Sequence, residues 1–226
     1  MSIISHDLVT PIRYISISSR LAQQNAATSP REELLEVLTE IEATTMRIHD
    51  NAQNVLHWIR FQSKGMTSVK SNVAIHDLID EVVVLYQPIA NAGQVKIHNI
   101  TPEEDILISD PRILKIVIQN ILNNSVKFTR NGQIAITSGI RGKDYRIFVT
   151  DTGPGFSEAA LESIRLIRSS DPVNSFSSDM SDDGTHLGYQ IIYEMIRFLH
   201  GDFVITSTPA GSTVEIILYN CLQETL

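Results

Sequence analysis

The sequence predicts an α+β protein in which an amino-terminal helical hairpin precedes an α/β sandwich. Residues 1–64 contain no glycine, and their apolar residues recur in steps of three and four, which is typical of amphipathic helices. From Gly65 onward, short β-prone runs alternate with helical runs. We therefore predict two domains, residues 1–64 and residues 65–226.

The first domain reads as two long helices separated by residues 28–30, which contain Pro30. Ile12 and Ile15 belong to the apolar stripe of the first helix, and Leu38 and Ile41 to that of the second. A hairpin of two helices cannot bury such stripes alone. The pattern therefore predicts a four-helix bundle formed with a second copy of the chain, and hence a homodimer.

The second domain reads as a mostly antiparallel sheet covered by helices. We predict strands at residues 95–100, 106–108, 133–140, 145–150, 203–207 and 213–218. Helices are predicted at residues 76–92, 110–128, 157–167 and 187–199. Lys64, Gly65 and residues 67–71 are predicted to form the joint between the two domains.

Composition excludes several classes of protein. The chain of 226 residues is 42% hydrophobic and 19% charged, as expected of a globular protein. Its net charge of −8 argues against binding to nucleic acid, which requires a basic surface. No apolar run approaches the 18 residues that indicate a membrane span. The single cysteine, Cys221, excludes an internal disulfide and fits a reducing compartment.

The first candidate site is the block from Ser5 to Pro11. A neutral imidazole such as that of His6 is a competent nucleophile, and an adjacent carboxylate such as Asp7 can keep one ring nitrogen protonated while the other attacks. Thr10 lies one helical turn after His6 and on its face. A solvated histidine without a function is the alternative, unless a matching phosphate donor exists elsewhere in the chain.

A binding site for such a phosphate donor is indicated by a helical block that contains Asn120, Asn124 and Lys127. Amide oxygens beside an ammonium group suit Mg²⁺ and a polyphosphate, because Mg²⁺ takes few protein oxygens and completes its shell with water and phosphate. Buried amides that cap neighbouring loops are the alternative interpretation.

Two glycine-containing blocks follow. Asp151 closes a predicted strand, where its carboxylate can accept a hydrogen bond from an exocyclic amine, and Gly153 and Gly155 let the backbone approach a ligand. Gly184 and Gly188 open a predicted helix, whose first N–H groups favour phosphate. A tight turn and an ordinary capped helix start are the respective alternatives.

In this order the blocks resemble the histidine kinases of two-component signalling, over nearly the whole chain. The resemblance implies that His6 is the phosphorylated residue and Asp7 its acid/base partner. It places Thr10 at the position linked to dephosphorylation of the response regulator. It also implies a dimeric helical hairpin followed by a Bergerat-type ATP-binding domain.

The same resemblance implies that this domain binds ATP together with Mg²⁺. Asn124 corresponds to the Mg²⁺ ligand, Lys127 to the phosphate-contacting lysine, and Asp151 to the aspartate that reads adenine. The positions that match the nucleotide-binding boxes are Asn120, Asn124, Lys127, Phe128, Asp151, Gly153, Gly155, Gly184, Gly188 and Thr213.

The implied function is ATP-dependent autophosphorylation of His6, followed by phosphoryl transfer to an aspartate in the receiver domain of a response regulator. Two features depart from the family. His186 stands where a glycine is usual, and the stretch 169–184 carries four aspartates and neither Lys nor Arg. They keep an alternative open, namely a non-enzymatic histidine phosphotransfer or scaffold dimer with a degenerate ATP domain.

A third interpretation is an ATPase of the related chaperone, mismatch-repair or topoisomerase group, which shares the nucleotide blocks and lacks the hairpin with His6. Because only five residues precede His6, we expect a catalytic fragment of a longer protein with a sensor region upstream. The fragment is expected in the cytoplasm, and membrane anchoring of the full-length protein stays open.

Overall fold

The computed structural model describes residues 9–26, 29–63, 68–169 and 185–222. These residues form two compact units, one of residues 9–63 and 185–191 and the other of residues 68–169 and 192–222. The predicted boundary between residues 64 and 65 lies outside the described residues. Among the described helices, none is both long enough and apolar enough to cross a bilayer.

The hairpin of the first unit consists of α1 (Thr10–Asn25) and α2 (Arg31–Ser63), which pack against each other. The prediction of a helical hairpin is therefore confirmed. No residue of α1 is buried, and Ile12 and Leu38 leave more than half of their surface exposed. Further exposed apolar residues on the two helices are Ile17, Leu21, Leu35 and Met46. The hairpin alone thus leaves apolar surface in contact with water.

The second unit is built on a five-stranded sheet and a separate two-stranded sheet. The strands are β1 (Ser71–Ala74), β2 (Lys96–Asn99), β3 (Ile106–Ser109), β4 (Gln133–Arg141), β5 (Asp144–Asp151), β6 (Gly201–Thr208) and β7 (Gly211–Leu218). The larger sheet has the order β2-β4-β5-β7-β6, and β1 pairs with β3. Only the β2–β4 pair is parallel, so the mostly antiparallel sheet is confirmed.

The helices that follow α2 are α3 (Ile75–Ala92), α4 (Pro111–Phe128), α5 (Glu158–Ser169) and α6 (Thr185–Phe198). Helices α3 and α4 pack together, and α4 also contacts β5. Each predicted strand and helix of this domain is present with ends shifted by no more than two residues. Strand β1 is an additional element that the sequence pattern does not predict, and it begins at Ser71, the last residue of the predicted joint.

Alternation along β5 determines where its last residue lies. Tyr145, Ile147 and Val149 are buried, and the residues between them are partly exposed. Because side chains point to opposite faces in turn, Asp151 continues the buried set at the end of the strand. A carboxylate is therefore held at the edge of the apolar core.

A polar cluster closes the opposite end of the same strand. The Tyr145 hydroxyl donates to the Asp105 carboxylate, and Ser138 Oγ lies 2.7 Å from that hydroxyl. Burial, followed by the hydrogen bond to Asp105, raises the pKa of Tyr145 well above its ordinary value of 10.0. Burial also raises the pKa of the nearby Cys221 thiol.

We expect this cluster to make the protein less stable in alkali. The unfolded chain releases the Tyr145 proton first, so the free energy of unfolding should fall as pH rises above about 10, by up to about 1.4 kcal/mol per pH unit. Urea unfolding between pH 8 and pH 11 measures this slope. In a Cys221→Ala background, Tyr145→Phe should make the slope shallower, and an unchanged slope would contradict the assignment.

Candidate functional site

Helix α4 carries two asparagines on one face. Asn120 and Asn124 are four residues apart and both are partly buried. The Asn120 side-chain amide donates to Ile116 O at 2.8 Å, which holds it against its own helix. Within the part of the chain that the structure describes, the Asn124 amide has no hydrogen-bond partner, so its oxygen is available to a ligand.

The carboxyl-terminal turn of α4 adds a positive charge and an aromatic ring. Lys127 Nζ lies 5.6 Å from the centre of the Phe128 ring, within the range of a cation–π contact. Half of the Phe128 surface is exposed. Lys127 follows Asn124 by three residues, so both side chains lie along neighbouring faces of one rigid helix.

The Asp151 carboxylate is fixed by donors from its own domain. Its Oδ1 accepts from Gly153 N at 2.9 Å and from Ser212 N at 3.4 Å. Its Oδ2 accepts from Ser212 Oγ at 2.7 Å, and Ser125 Oγ of α4 lies 3.5 Å away. Only 8% of Asp151 is exposed. Each carboxylate oxygen offers two lone pairs. The short contacts with Gly153 N and Ser212 Oγ use one on each oxygen and hold the group in one orientation, whereas the contacts at 3.4 and 3.5 Å lie beyond ordinary hydrogen-bond distances.

The structure brings Ser212 to this carboxylate, and the neighbouring Thr213, a predicted nucleotide-binding residue, does not contact it. Thr213 Oγ1 lies 3.0 Å from Thr150 Oγ1 on the more exposed face of the sheet. Ser212 is paired in register with Asp151 and is buried. The alternation of β7 therefore turns the Ser212 hydroxyl toward the site and the Thr213 hydroxyl away from it.

The two glycines after Asp151 serve different purposes. A Cβ on Gly153 would lie 3.0 Å from Asp151 Oδ1 and 3.3 Å from Thr129 Oγ1, so this glycine keeps the surroundings of the carboxylate clear. Gly155 has φ +74°, and its Cβ would collide with Thr208 O and Ser207 Oγ. Gly155 is therefore required by the close approach of the end of β6.

Some predicted residues lie outside the described residues. These are His6, Asp7 and Gly184. Thr10 is the first residue of α1 and is exposed, and Gly188 is buried within α6. The structure thus brings together Asn120, Asn124 and Lys127 on one helix, and joins that helix to Asp151 through Ser125.

The described residues fit a nucleotide with a divalent cation. The Thr129 hydroxyl is fully buried and has no partner among them, although buried hydroxyls normally have one. It flanks Gly153 on the side of Asp151, where a bound nucleobase or its water would supply such a partner. No cluster of three or more His, Cys, Asp or Glu forms a metal site within the described ranges, and the Asn124 amide is the candidate ligand there.

Comparison with known proteins relates the chain to histidine kinases. Residues 109–220 match the model of the histidine kinase-, DNA gyrase B- and HSP90-like ATPase family. The cell-division control histidine kinase PdhS of Brucella ovis is 28% identical over 224 residues, which is 95% of this chain. These findings support a sensor histidine kinase catalytic core. The resemblance stated from the sequence is confirmed, and the match of the ATPase model covers α4, β5 and β7, which carry the site.

Solved structures show that the chain has the fold of a histidine kinase core. The histidine kinase ThkA, in complex with the response regulator protein TrrA, superposes with a TM-score of 0.66 at 20% identity, over 96% of this chain and 60% of that chain. The histidine kinase AdeS of Acinetobacter baumannii gives a TM-score of 0.62 at 15% identity, over 95% of this chain and 97% of that chain. The chain spans 22% of the length of PdhS.

Proposed function

We propose that this protein is a histidine kinase that transfers the γ-phosphoryl group of ATP to His6, and from there to an aspartate of a response regulator. The observation that carries the proposal is the buried Asp151 carboxylate, fixed by Ser212 and Gly153, with the unpaired Asn124 amide on the neighbouring helix. A carboxylate at the core edge accepts a hydrogen bond from the exocyclic amine of adenine. Both groups belong to the matched ATPase domain.

Each side chain of the site has a proposed task. Asp151 binds adenine, Lys127 binds phosphate, and the Asn124 oxygen holds Mg²⁺, which would neutralise part of the triphosphate charge when bound. Asn120 lies one turn before Asn124 on α4, and Phe128 is the last residue of that helix. Gly184 and Gly188 flank the start of α6 in the sequence, where the first backbone N–H groups of the helix would bind phosphate.

The transfer step involves the hairpin. One ring nitrogen of His6 attacks the γ-phosphorus, the bond to the bridging oxygen breaks, and ADP leaves with the electron pair. Asp7 accepts the proton from the other ring nitrogen. Thr10 is placed one turn later, where its hydroxyl would orient the water that dephosphorylates the response regulator. The joint after residue 64 must let the domain 65–226 reach His6.

The proposed partners are a second copy and a receiver domain. The apolar residues that α1 and α2 leave exposed, such as Ile12 and Leu38, are the ones a four-helix bundle would bury. ThkA was solved with a response regulator, and we propose the same class of partner for this chain. The receiver would bind beside the hairpin helix that presents His6.

Labelling tests the proposal directly. Incubation with γ-labelled ATP and Mg²⁺ should yield a phosphoprotein whose label is lost in acid and kept in base, as expected of a phosphorus–nitrogen bond. Phosphate bound by a serine or threonine would show the opposite pattern and would overturn the assignment to histidine. Steady hydrolysis without a phosphoprotein would instead favour the related ATPases.

The alternative of a degenerate ATP domain is tested by calorimetry with Mg-ATP. The described part of the pocket gives no sign of decay, because Asp151, Asn124 and Lys127 are all present. The side chain of His186 and the acidic stretch lie outside the described residues. Micromolar affinity would exclude the alternative, whereas no binding together with phosphorylation from a phosphorylated regulator would establish it.

Asn124→Ala should remove the Mg²⁺ dependence of ATP binding. The wild-type affinity is expected to rise at least about tenfold with Mg²⁺, an advantage of about 1.4 kcal/mol, and the variant should bind equally with and without the cation. Calorimetry with ATP in Mg²⁺ or in chelator measures both values. Asn123→Ala, one position earlier on α4 and on another face, is the matched control and should behave as wild type.

A further inference from the structure

The carboxylate at the start of α4 also binds the segment that arrives from the hairpin. Asp110 has no exposed surface, although charged side chains are rarely buried without partners. Its Oδ2 accepts from the backbone N–H of Val69 at 3.0 Å. Val69 stands between the end of α2 at Ser63 and the start of β1 at Ser71. Asp110 therefore joins the incoming chain to the helix that bears the site.

The sheet geometry explains why a side chain makes this bond. Strands β1 and β3 pair antiparallel as far as Ser71 and Ser109, and the next positions in register would join Lys70 to Asp110 and Val69 to Pro111. Proline has no N–H to continue the ladder. The Asp110 carboxylate takes over as acceptor and holds the chain two residues beyond the end of the strand.

The other bonds of Asp110 fix the carboxylate to the helix. Oδ1 accepts from Arg112 N at 3.1 Å, which caps α4, and from Arg112 Nε at 3.1 Å. Oδ2 also accepts from the second guanidinium nitrogen at 2.7 Å. Burial alone would raise the pKa of Asp110, but the hydrogen bonds from Arg112 and Val69 outweigh burial and lower it. The group stays ionised at neutral pH.

We infer that Asp110 is a positioning residue that sets the direction in which the chain between the two domains leaves the ATP-binding domain relative to α4. The inference rests on the proposed function and adds a means of orientation to it. Asn124 lies about 21 Å along the same helix at a rise of 1.5 Å per residue. Because a helix of this length is rigid, a chain held at Asp110 is held relative to the phosphate-binding residues.

The bond should matter for the encounter of the two domains and not for nucleotide binding. A fixed exit restricts the orientations that the joint samples, which raises the effective concentration of one reacting group near the other. Asp110 precedes the first residue of α4, about 21 Å along the helix axis from Asn124, and Val69 contributes only its backbone N–H to the bond. Release of Val69 should therefore slow autophosphorylation and leave the affinity for ATP unchanged.

Val69→Pro removes this N–H and spares Asp110 and Arg112. The matched control is Val69→Ala, which keeps the N–H and loses a side chain that is already 58% exposed. We expect Val69→Pro to lower the rate of autophosphorylation about tenfold, with ATP affinity by calorimetry within about twofold of the control. Asp110→Asn, whose oxygen can still cap α4 while its NH₂ faces Val69, should give the same result.

A second measurement tests the bond between Val69 and Asp110 independently of phosphoryl transfer. Spin labels at Arg20→Cys and Glu104→Cys, both exposed positions, in a Cys221→Ala background and diluted with unlabelled protein, report the distance between the two domains. Val69→Pro should broaden that distribution relative to Val69→Ala. The inference would be overturned if Val69→Pro and Val69→Ala gave equal distance distributions and equal rates of autophosphorylation. It would also be overturned if Val69→Pro lost ATP affinity in parallel with the rate. If the wild-type protein is not phosphorylated by ATP, only the proposed function is rejected, because the distance distributions still test the bond between Val69 and Asp110.

Discussion

Asp151→Asn is expected to weaken ATP binding by at least about 100-fold, or about 3 kcal/mol. The reason lies in the donors around the carboxylate. Gly153 N donates to Oδ1, and a backbone N–H cannot reverse its role. The amide oxygen of the new side chain must therefore face Gly153, which turns its NH₂ toward Ser212 Oγ and the proposed adenine amine. Two donors then face each other where an acceptor is needed.

The fold should tolerate this change better than the ligand does. In the wild-type protein Ser212 Oγ donates to Oδ2 and Ser125 Oγ lies close to it. Both hydroxyls can rotate and accept a hydrogen bond from the new amide. We expect a loss of stability of about 1 kcal/mol, measured by urea unfolding, beside the large loss of affinity measured by calorimetry. A variant that still binds ATP as wild type would show that Asp151 does not read adenine.

Ser212→Ala is the matched control for the same pocket. It removes one donor to Asp151 and leaves the carboxylate, so affinity should fall by less than about tenfold. Thr213→Ala, on the other face of β7, should leave affinity unchanged. If Thr213→Ala were the damaging change instead, the side-chain directions of β7 in this structure would be contradicted.

The contrast between these two residues shows what the sequence could and could not predict. Asp151 was predictable because it ends an apolar strand and precedes two glycines. The choice between Ser212 and Thr213 depends on which face of β7 is buried. Val214 and Ile216 are buried and lie on the same face of β7 as Ser212, so the alternation of apolar residues along the strand indicates which of the two hydroxyls faces the core.

Other features depend on contacts between distant segments, and no local pattern reports them. Gly155 must be glycine because Ser207 and Thr208 approach its backbone, and that approach exists only in the folded sheet. The bond from Val69 to Asp110 likewise requires the pairing of β1 with β3. The helices and strands themselves were predictable because their periodicity is local and uninterrupted.

His6→Gln is expected to abolish the acid-labile label completely. A primary amide has no basic nitrogen, so it cannot attack phosphorus as a neutral imidazole does. Glutamine keeps a polar side chain of similar length, and His6 belongs to the domain that carries no part of the adenine pocket. The variant should therefore keep the wild-type affinity for Mg-ATP. Label retained in this variant, with the same acid lability, would remove His6 from the mechanism.

Mixing the two variants tests the dimer as well as the mechanism. His6→Gln lacks the acceptor and keeps the ATP pocket, whereas Asp151→Asn lacks the pocket and keeps the acceptor. If subunits exchange and the phosphoryl group passes between them, the mixture should label the Asp151→Asn chain of the mixed dimers, which are about half of all dimers when pairing is random. If transfer stays within one subunit, the mixture remains unlabelled while size-exclusion chromatography still shows dimers. If size-exclusion chromatography shows a monomer, the prediction of a four-helix bundle is wrong and transfer must occur within one chain.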